Sequence, residues 1–310
     1  MKMVGTESKK AVQLYFYTMT IERTKKTADD TAYSIGAVVQ AFTDLLTSVN
    51  AKDILTKTLH LSKKSKVIWL DSVEAKSKGC FNLVFKSAKY DQSRTVRNTE
   101  TMEERGVLKQ PEDGDEEKTH LLIRFRVDSD RFIAIHESNY YGVTTWDISA
   151  YLNEYFDQMH SGSNAPYAYQ VSFDPLPSEE FLKGLSKMKK INLFRLTMSI
   201  DDLDKGDFQK FAGRNELRPT VEVYLRKRPG KGNNISQDLI REVYQDTGAT
   251  KRIKRIAVEG SNQSGSLKID TESYQMKHSI TVDTVQSPTH EVHTIDFFQK
   301  AEEFIREMGL

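Results

Sequence analysis

"TVEVYLRKRPGKGNNISQDLIREVYQDTG" (residues 220–248) contains a strand, a basic turn and a helix in immediate succession. Val221, Val223 and Leu225 alternate with Glu222, Tyr224 and Arg226, the period of a half-buried strand. Arg226, Lys227, Arg228 and Lys231 then arrive together around Pro229 and Gly230. From Ser236 the pattern turns helical, with Ser236 as N-cap and Gly248 as the stop. One strand face, one helix face and a polar turn between them make the building unit of a layered α+β fold.

The same unit recurs on both sides. "YAYQVSFDPL", "INLFRLTMSI", "RIKRIAVEGS" and "YQMKHSITVDTV" read as further strands. "SEEFLKGLSKM" reads as a helix capped by Ser178, "DFQKFAGR" as a short helix and "TIDFFQKAEEFIREMG" as the closing helix. Towards the N-terminus, "VQLYFYTMTIE", "DILTKTLHL", "SKVIWLDSVEA" and "CFNLVFKSAKY" have strand character. "THLLIRFRV" and "RFIAIHES" form a hairpin around Asp128, Ser129 and Asp130, while residues 32–49 and "TTWDISAYLNEYFDQM" are amphipathic helices. "HSGSNAP" (160–166) is the best linker. The expected organisation is two α+β domains, 1–160 and 166–310, with mixed or antiparallel sheets and helices packed on one face. Short helices and polar strand faces argue against a doubly wound parallel sheet. Residues 91–118 form a long polar insertion in the first domain, either a functional loop or a disordered one.

Composition sets limits on function. With 310 residues, 38% hydrophobic and 29% charged, the chain has the make-up of a soluble globular protein. No apolar run reaches membrane-spanning length and no signal-type leader opens it, so a cytoplasmic location is expected, without direct membrane insertion. One cysteine, Cys80, excludes an internal disulfide, and its apolar strand neighbours point to a buried inert thiol. The net charge of +1 conceals a strong asymmetry. From Lys183 to Arg255 there are 18 Lys/Arg against 9 Asp/Glu, whereas 100–117 holds 8 acidic residues against 2 basic ones. Such asymmetry bears on partners rather than on fold.

Motifs for catalysis are missing. No G-x-G-x-x-G, Walker loop or G-x-S-x-G occurs, and the Gly-Lys-Gly at 230–232 lacks the rest of a phosphate loop. His290 and His293 flank Glu291 at the wrong spacing for a zincin, and His136-Glu137 reads as a surface pair. Neither a metal nor a cofactor is expected. The basic region carries more. Beside Arg226, Lys227, Arg228 and Lys231 stand Lys187, Lys189 and Lys190, then Lys251, Arg252, Lys254 and Arg255, all near element boundaries. Phosphate contact is one reading of these cations, and complementation of helix dipoles is the other. Phe194 and Tyr224 read as packing residues.

"INLFRLTMSIDDLDKGDFQKFAG" followed by "TVEVYLRKRPGKGNNISQDLI", with the earlier hairpin and helix "THLLIRFRVDSDRFIAIHESNYYGVTTWDISAYLNEYF", resembles the RexA family of phage-exclusion proteins of lambda-type prophages. The resemblance is one of layout and length over most of the chain, and the insertion at 91–118 departs from it. It implies a homodimeric two-domain α+β protein with a fold similar to the recombination-associated protein RdgC. It further implies binding to the phosphate backbone of double-stranded DNA without strong sequence preference, in antiphage defence that signals to a membrane effector protein. Two readings stand beside it. One is a protein-interaction component of a toxin or immunity system; the other is a metal-dependent nuclease using Asp201, Asp202 and Asp204.

Overall fold

A computed structural model describes residues 9–23, 35–77, 79–91, 95–107, 109–110, 112–126, 131–162, 169–199, 220–230, 233–250, 253–262, 265–285 and 291–308. The elements begin with β1 (Lys9–Arg23), α1 (Ile35–Asn50), β2 (Leu59–Leu61), β3 (Lys66–Ser77) and β4 (Cys80–Lys89). Next come β5 (Thr95–Arg97), β6 (Glu104–Val107), β7 (Asp115–Arg126), β8 (Arg131–Glu137), α2 (Thr145–Gly162) and β9 (Tyr169–Pro175). There follow α3 (Glu180–Ser186), β10 (Lys190–Ser199), β11 (Thr220–Arg226), α4 (Gln237–Thr250), β12 (Ile253–Asn262) and β13 (Gly265–Asp270). The chain closes with β14 (Lys277–Asp283) and α5 (Thr294–Met308). The fold is α+β with antiparallel sheets.

Two compact units result. The first joins residues 1–173 to 278–310, and the second is residues 174–277. This differs from a division at 160–166, because β14 and α5 return to the first sheet. That sheet has eight strands in the order β14-β1-β8-β7-β4-β3-β2, with β9 also paired to β1. The apolar runs at 121–123 and 132–135 explain why it is covered twice, since strands buried on both faces lose the polar half of their alternation. Leu121 and Ile123 join the core of Val38, Phe42 and Tyr151 from α1 and α2. His120 and Arg124, on the opposite face, meet Phe297 and Glu302 of α5. Helices therefore lie on both faces of this sheet, not on one.

In the second unit, β11-β10-β12-β13 form a four-stranded sheet. Its one apolar face, with Phe194, Leu196, Ile256 and Val258, packs against Phe181 and Leu185 of α3 and Ile240 of α4. Here the helices do keep to one face. Strand β13 was missed because "GSLKID" is short and begins in a Gly/Ser-rich stretch.

Other local expectations change. The strand expected over "DILTKTLHL" shrinks to Leu59–Leu61, because Asp53 accepts the Thr56 amide N–H at 3.0 Å and turns the chain. The insertion at 91–118 holds a β5–β6 hairpin, and its acidic end is the start of β7, paired with β4 from Lys89↔Asp115 onward. His136 and Glu137 are buried, not a surface pair. Burial lowers the His136 pKa although its Nε2 is 2.7 Å from the Val143 carbonyl. Helix α3 has no side-chain cap, so Ser178 contributes only its carbonyl, accepting Phe181 N–H. Ser236 does cap α4, accepting the Asp238 amide N–H at 3.1 Å, and that helix runs on to Thr250 rather than stopping at Gly248. The turn at 128–130, the short helix at 207–214 and most of the linker lie outside the described residues.

A buried ionic cluster anchors α2. Thr144 and Asp147 form a capping box: Thr144 N–H donates to Asp147 Oδ2 at 3.1 Å, and Asp147 N–H donates to Thr144 Oγ1 at 3.2 Å. Lys64 pairs with the same carboxylate, and Lys66 reaches it at 3.4 Å while donating to Gly142 O. Burial pushes the Asp147 carboxyl up, but Lys64, the Thr144 amide and the Lys66 charge outweigh it and hold it below the usual carboxylate range. A depressed carboxyl stabilises the fold above its unfolded-state value, about 3.9, and that stability is lost as pH falls through the lower folded-state value. Asp147→Asn should therefore lower the unfolding free energy by about 3 kcal/mol at neutral pH, read from denaturant midpoints. The gap to the wild type should close in strong acid. An unchanged midpoint at neutral pH would refute the anchoring role.

Candidate nucleic-acid interface

Antiparallel register decides which cations meet. The pair Leu193↔Arg226 sets the end of β11 beside the start of β10, and Lys190↔Ser261 sets that start beside the end of β12. Lys187, Lys189 and Lys190 therefore share one end of the sheet with Arg226, Lys227 and Arg228. All are exposed except the half-buried Lys227, and none is in an ion pair among the described residues. Two basic stretches separated by about forty positions of sequence become one cationic end.

Hydrogen bonds fix that end. Asn234 Oδ1 accepts the buried Ile191 amide N–H at 2.6 Å, Lys227 N–H donates to Asn192 O at 3.1 Å, and Ile235 N–H donates to Ile191 O at 3.3 Å. Lys189 N–H donates to Ser261 O at 3.0 Å, and Gln237 Nε2 donates to Met188 O at 2.7 Å. Within the turn, Asn233 Nδ2 donates to Pro229 O at 2.8 Å, and Gly230 has φ +124°, which favours glycine. Gly260 lies so close to the neighbouring strand that a Cβ there would sit 2.0 Å from Lys190 O.

The remaining basic candidates separate from this group. Lys254 and Arg255 lie at the opposite end of β12, where Arg255 faces Thr197. Thr197 is seven steps along β10 from Lys190, roughly 23 Å at about 3.3 Å each. Arg255 also pairs with Asp270 at 3.3 Å and with Glu272 at 2.5 Å, so its charge is neutralised inside the unit. Lys231, Lys251 and Arg252, and the nuclease candidates Asp201, Asp202 and Asp204, lie outside the described residues. Among the described residues no cluster of three or more His, Cys, Asp or Glu could hold a metal. Cys80 is half-buried in β4.

The open face of the sheet adds residues that the sequence reading passed over. Phe194 is fully buried, as expected of a packing residue, but Tyr224 is 48% exposed. Its ring lies 5.8 Å from the Arg195 guanidinium, and Arg195 approaches Glu222 at 3.8 Å. The Glu222 carboxylate also accepts the Tyr224 hydroxyl. Period-2 alternation from Phe194 would have placed Arg195 and Tyr224 on this face. No model of a known protein family matches the chain, and no curated protein matches it in sequence.

If Asn234 fastens the basic turn to the sheet, Asn234→Ala leaves the buried Ile191 amide without its acceptor. The substitution should cost about 1–3 kcal/mol and speed hydrogen exchange at Ile191. Unaltered exchange at that amide would show that the tie is dispensable.

Proposed function

We propose that the second unit binds the phosphate backbone of double-stranded DNA without base readout. The observation that carries this reading is the convergence of Lys187, Lys189, Lys190, Arg226, Lys227 and Arg228 on one sheet end, with no acidic partner among the described residues. Clustered, solvated like charges repel one another, and a polyanion relieves that repulsion while releasing its counterions. Contacts of this kind position a duplex without reading it. In cellular terms the reading is a RexA-like role: an RdgC-like homodimer acting in phage exclusion and signalling to a membrane effector. The binding it describes needs neither cofactor nor metal.

A second reading is favoured by one observation in the first unit. Tyr140 is 91% exposed and Trp146 80% exposed, with Tyr141 packed edge-on against Tyr140. Exposed Trp and Tyr are common anchors of protein interfaces, which suits a protein-interaction component of a toxin or immunity system.

Salt-titrated binding to two unrelated duplexes separates the readings. The wild type should bind both with similar affinity and leave them intact in magnesium. Replacing Lys189, Arg226 and Arg228 with glutamate should reduce the salt slope by at least about 2.7, at about 0.9 per phosphate contact, with folding retained. A folded triple variant with the parental slope would transfer the case to the interaction reading, and cleaved DNA to the nuclease.

A further inference from the structure

In the first unit, a carboxylate, an imidazole and a hydroxyl stand in series. Glu137 Oε2 lies 2.6 Å from His120 Nδ1 and also accepts the His120 backbone N–H at 3.0 Å. His120 Nε2 lies 3.0 Å from Thr294 Oγ1. With Nδ1–H directed at the carboxylate, Nε2 is the ring nitrogen that faces the threonine hydroxyl. His120 and Glu137 are buried, at 0% and 4% exposure, whereas Thr294 is half-exposed. Phe297 stacks on the imidazole at 4.5 Å and Phe298 meets it edge-on at 5.3 Å, so the ring is held in one orientation.

Thr294 also borders space a ligand could enter. It lines a cavity of about 270 Å³ whose wall also holds Glu74, Lys76, Asn82, Phe298 and Glu302. A base oriented by a third group and in hydrogen-bond reach of a hydroxyl is the general signature of an activated nucleophile. Lys76 and Asn82 on the same cavity are already engaged, Lys76 with Glu74 at 2.6 Å and Asn82 Nδ2 with Glu74 at 3.2 Å and Glu302 at 3.4 Å. The motif search missed this arrangement because its residues lie on β7, β8 and α5, and hydrolase triads are recognised by geometry and not by sequence order.

We propose that Thr294, His120 and Glu137 form a hydrolytic centre for small carboxylic esters, independent of DNA binding by the second unit. Thr294 Oγ1 attacks the ester carbonyl carbon and passes its proton to His120 Nε2. The carbon–oxygen bond to the alcohol then breaks, and the alcohol leaves with that proton. Water adds to the acyl-threonine, giving a proton to His120; collapse releases the acid and returns the proton to Thr294. Glu137 orients the imidazole and stabilises its protonated form.

The test uses the full-length protein, with p-nitrophenyl acetate as substrate and a fluorophosphonate as covalent probe. The wild type should release nitrophenolate catalytically and take one adduct on Thr294, located by peptide mass spectrometry. Thr294→Ser should retain both properties. Thr294→Val, equal in size but without the hydroxyl, should lose both while keeping its circular dichroism and melting temperature. Glu137→Gln should slow labelling by about 10²-fold or more, on the scale of a lost general base. A folded wild type with no adduct at Thr294, or a Thr294→Val protein as active as the wild type, overturns the proposal.

Discussion

A sheet whose two faces are both apolar must be covered twice, and most of this architecture follows from that constraint. Strands β7 and β8 supply the runs at 121–123 and 132–135 that leave no face for water. Helices α1 and α2 close one side. Among the described residues α5 closes the other, with Phe297, Phe298, Ala301 and Ile305 inward. The chain must therefore come back after its second unit. Inside that unit its first and last segments bridge each other: Met276 N–H donates to Leu176 O at 2.7 Å and Ser178 N–H to Tyr274 O at 2.8 Å. The second unit is thus an insertion in the sequence of the first, and the return of α5 is also what sets Thr294 beside His120.

Electrostatics divides the two units more sharply than composition does. Several ionic groups of the first unit are paired internally: Lys64 and Lys66 with Asp147, Arg124 with Glu302, Lys86 with Glu116. At the cationic end of the second, hydrogen bonds hold the backbone while the charges stay in water. Asn234 and the Gly260–Lys190 approach fix strand positions, and neither neutralises a lysine or arginine. Exposed like charges are weakly destabilising and strongly screened by salt, so such a cluster adds little to folding. Its effect lies in long-range attraction of an anion.

Much of this was legible in sequence, for physical reasons. Short-range periodicity revealed the β7–β8 hairpin, α1, α2, α5 and the strand–turn–helix at 220–248, because each buries one face locally. What periodicity cannot carry is partner choice. A strand such as "KHSITVD" has the same alternation whichever sheet it joins, so the assignment of β14 and α5 to the second unit rested on proximity in sequence. Register has the same limit. Lys254 and Arg255 look like an extension of the basic turn when read in a line, yet antiparallel pairing sends them to the far end of the sheet. Burial of polar groups was the hardest to see. His136-Glu137 looks like a surface pair until the sheet gains a second cover, after which Glu137 has His120 for a partner.

The acidic segment shows how a charge count and a charge distribution differ. Eight acidic residues at 100–117 suggest a free anionic loop, a ready counterpart to the basic region. Several are already engaged. Arg97 holds Glu104 at 2.8 Å, Lys109 pairs with Asp115, Lys86 holds Glu116 at 2.9 Å, and Asn139 donates to Glu117 at 3.0 Å. The last three acids also belong to β7, whose pairing with β4 begins at Lys89↔Asp115. Removing 100–117 would cut into the central sheet as well as remove charge, so the segment contributes to the fold first. Its carboxylates are partly neutralised where they stand, and those six cations are not. A chain with net charge +1 can therefore still present a local cationic surface, because charge balance over the whole sequence says nothing of where the charges meet.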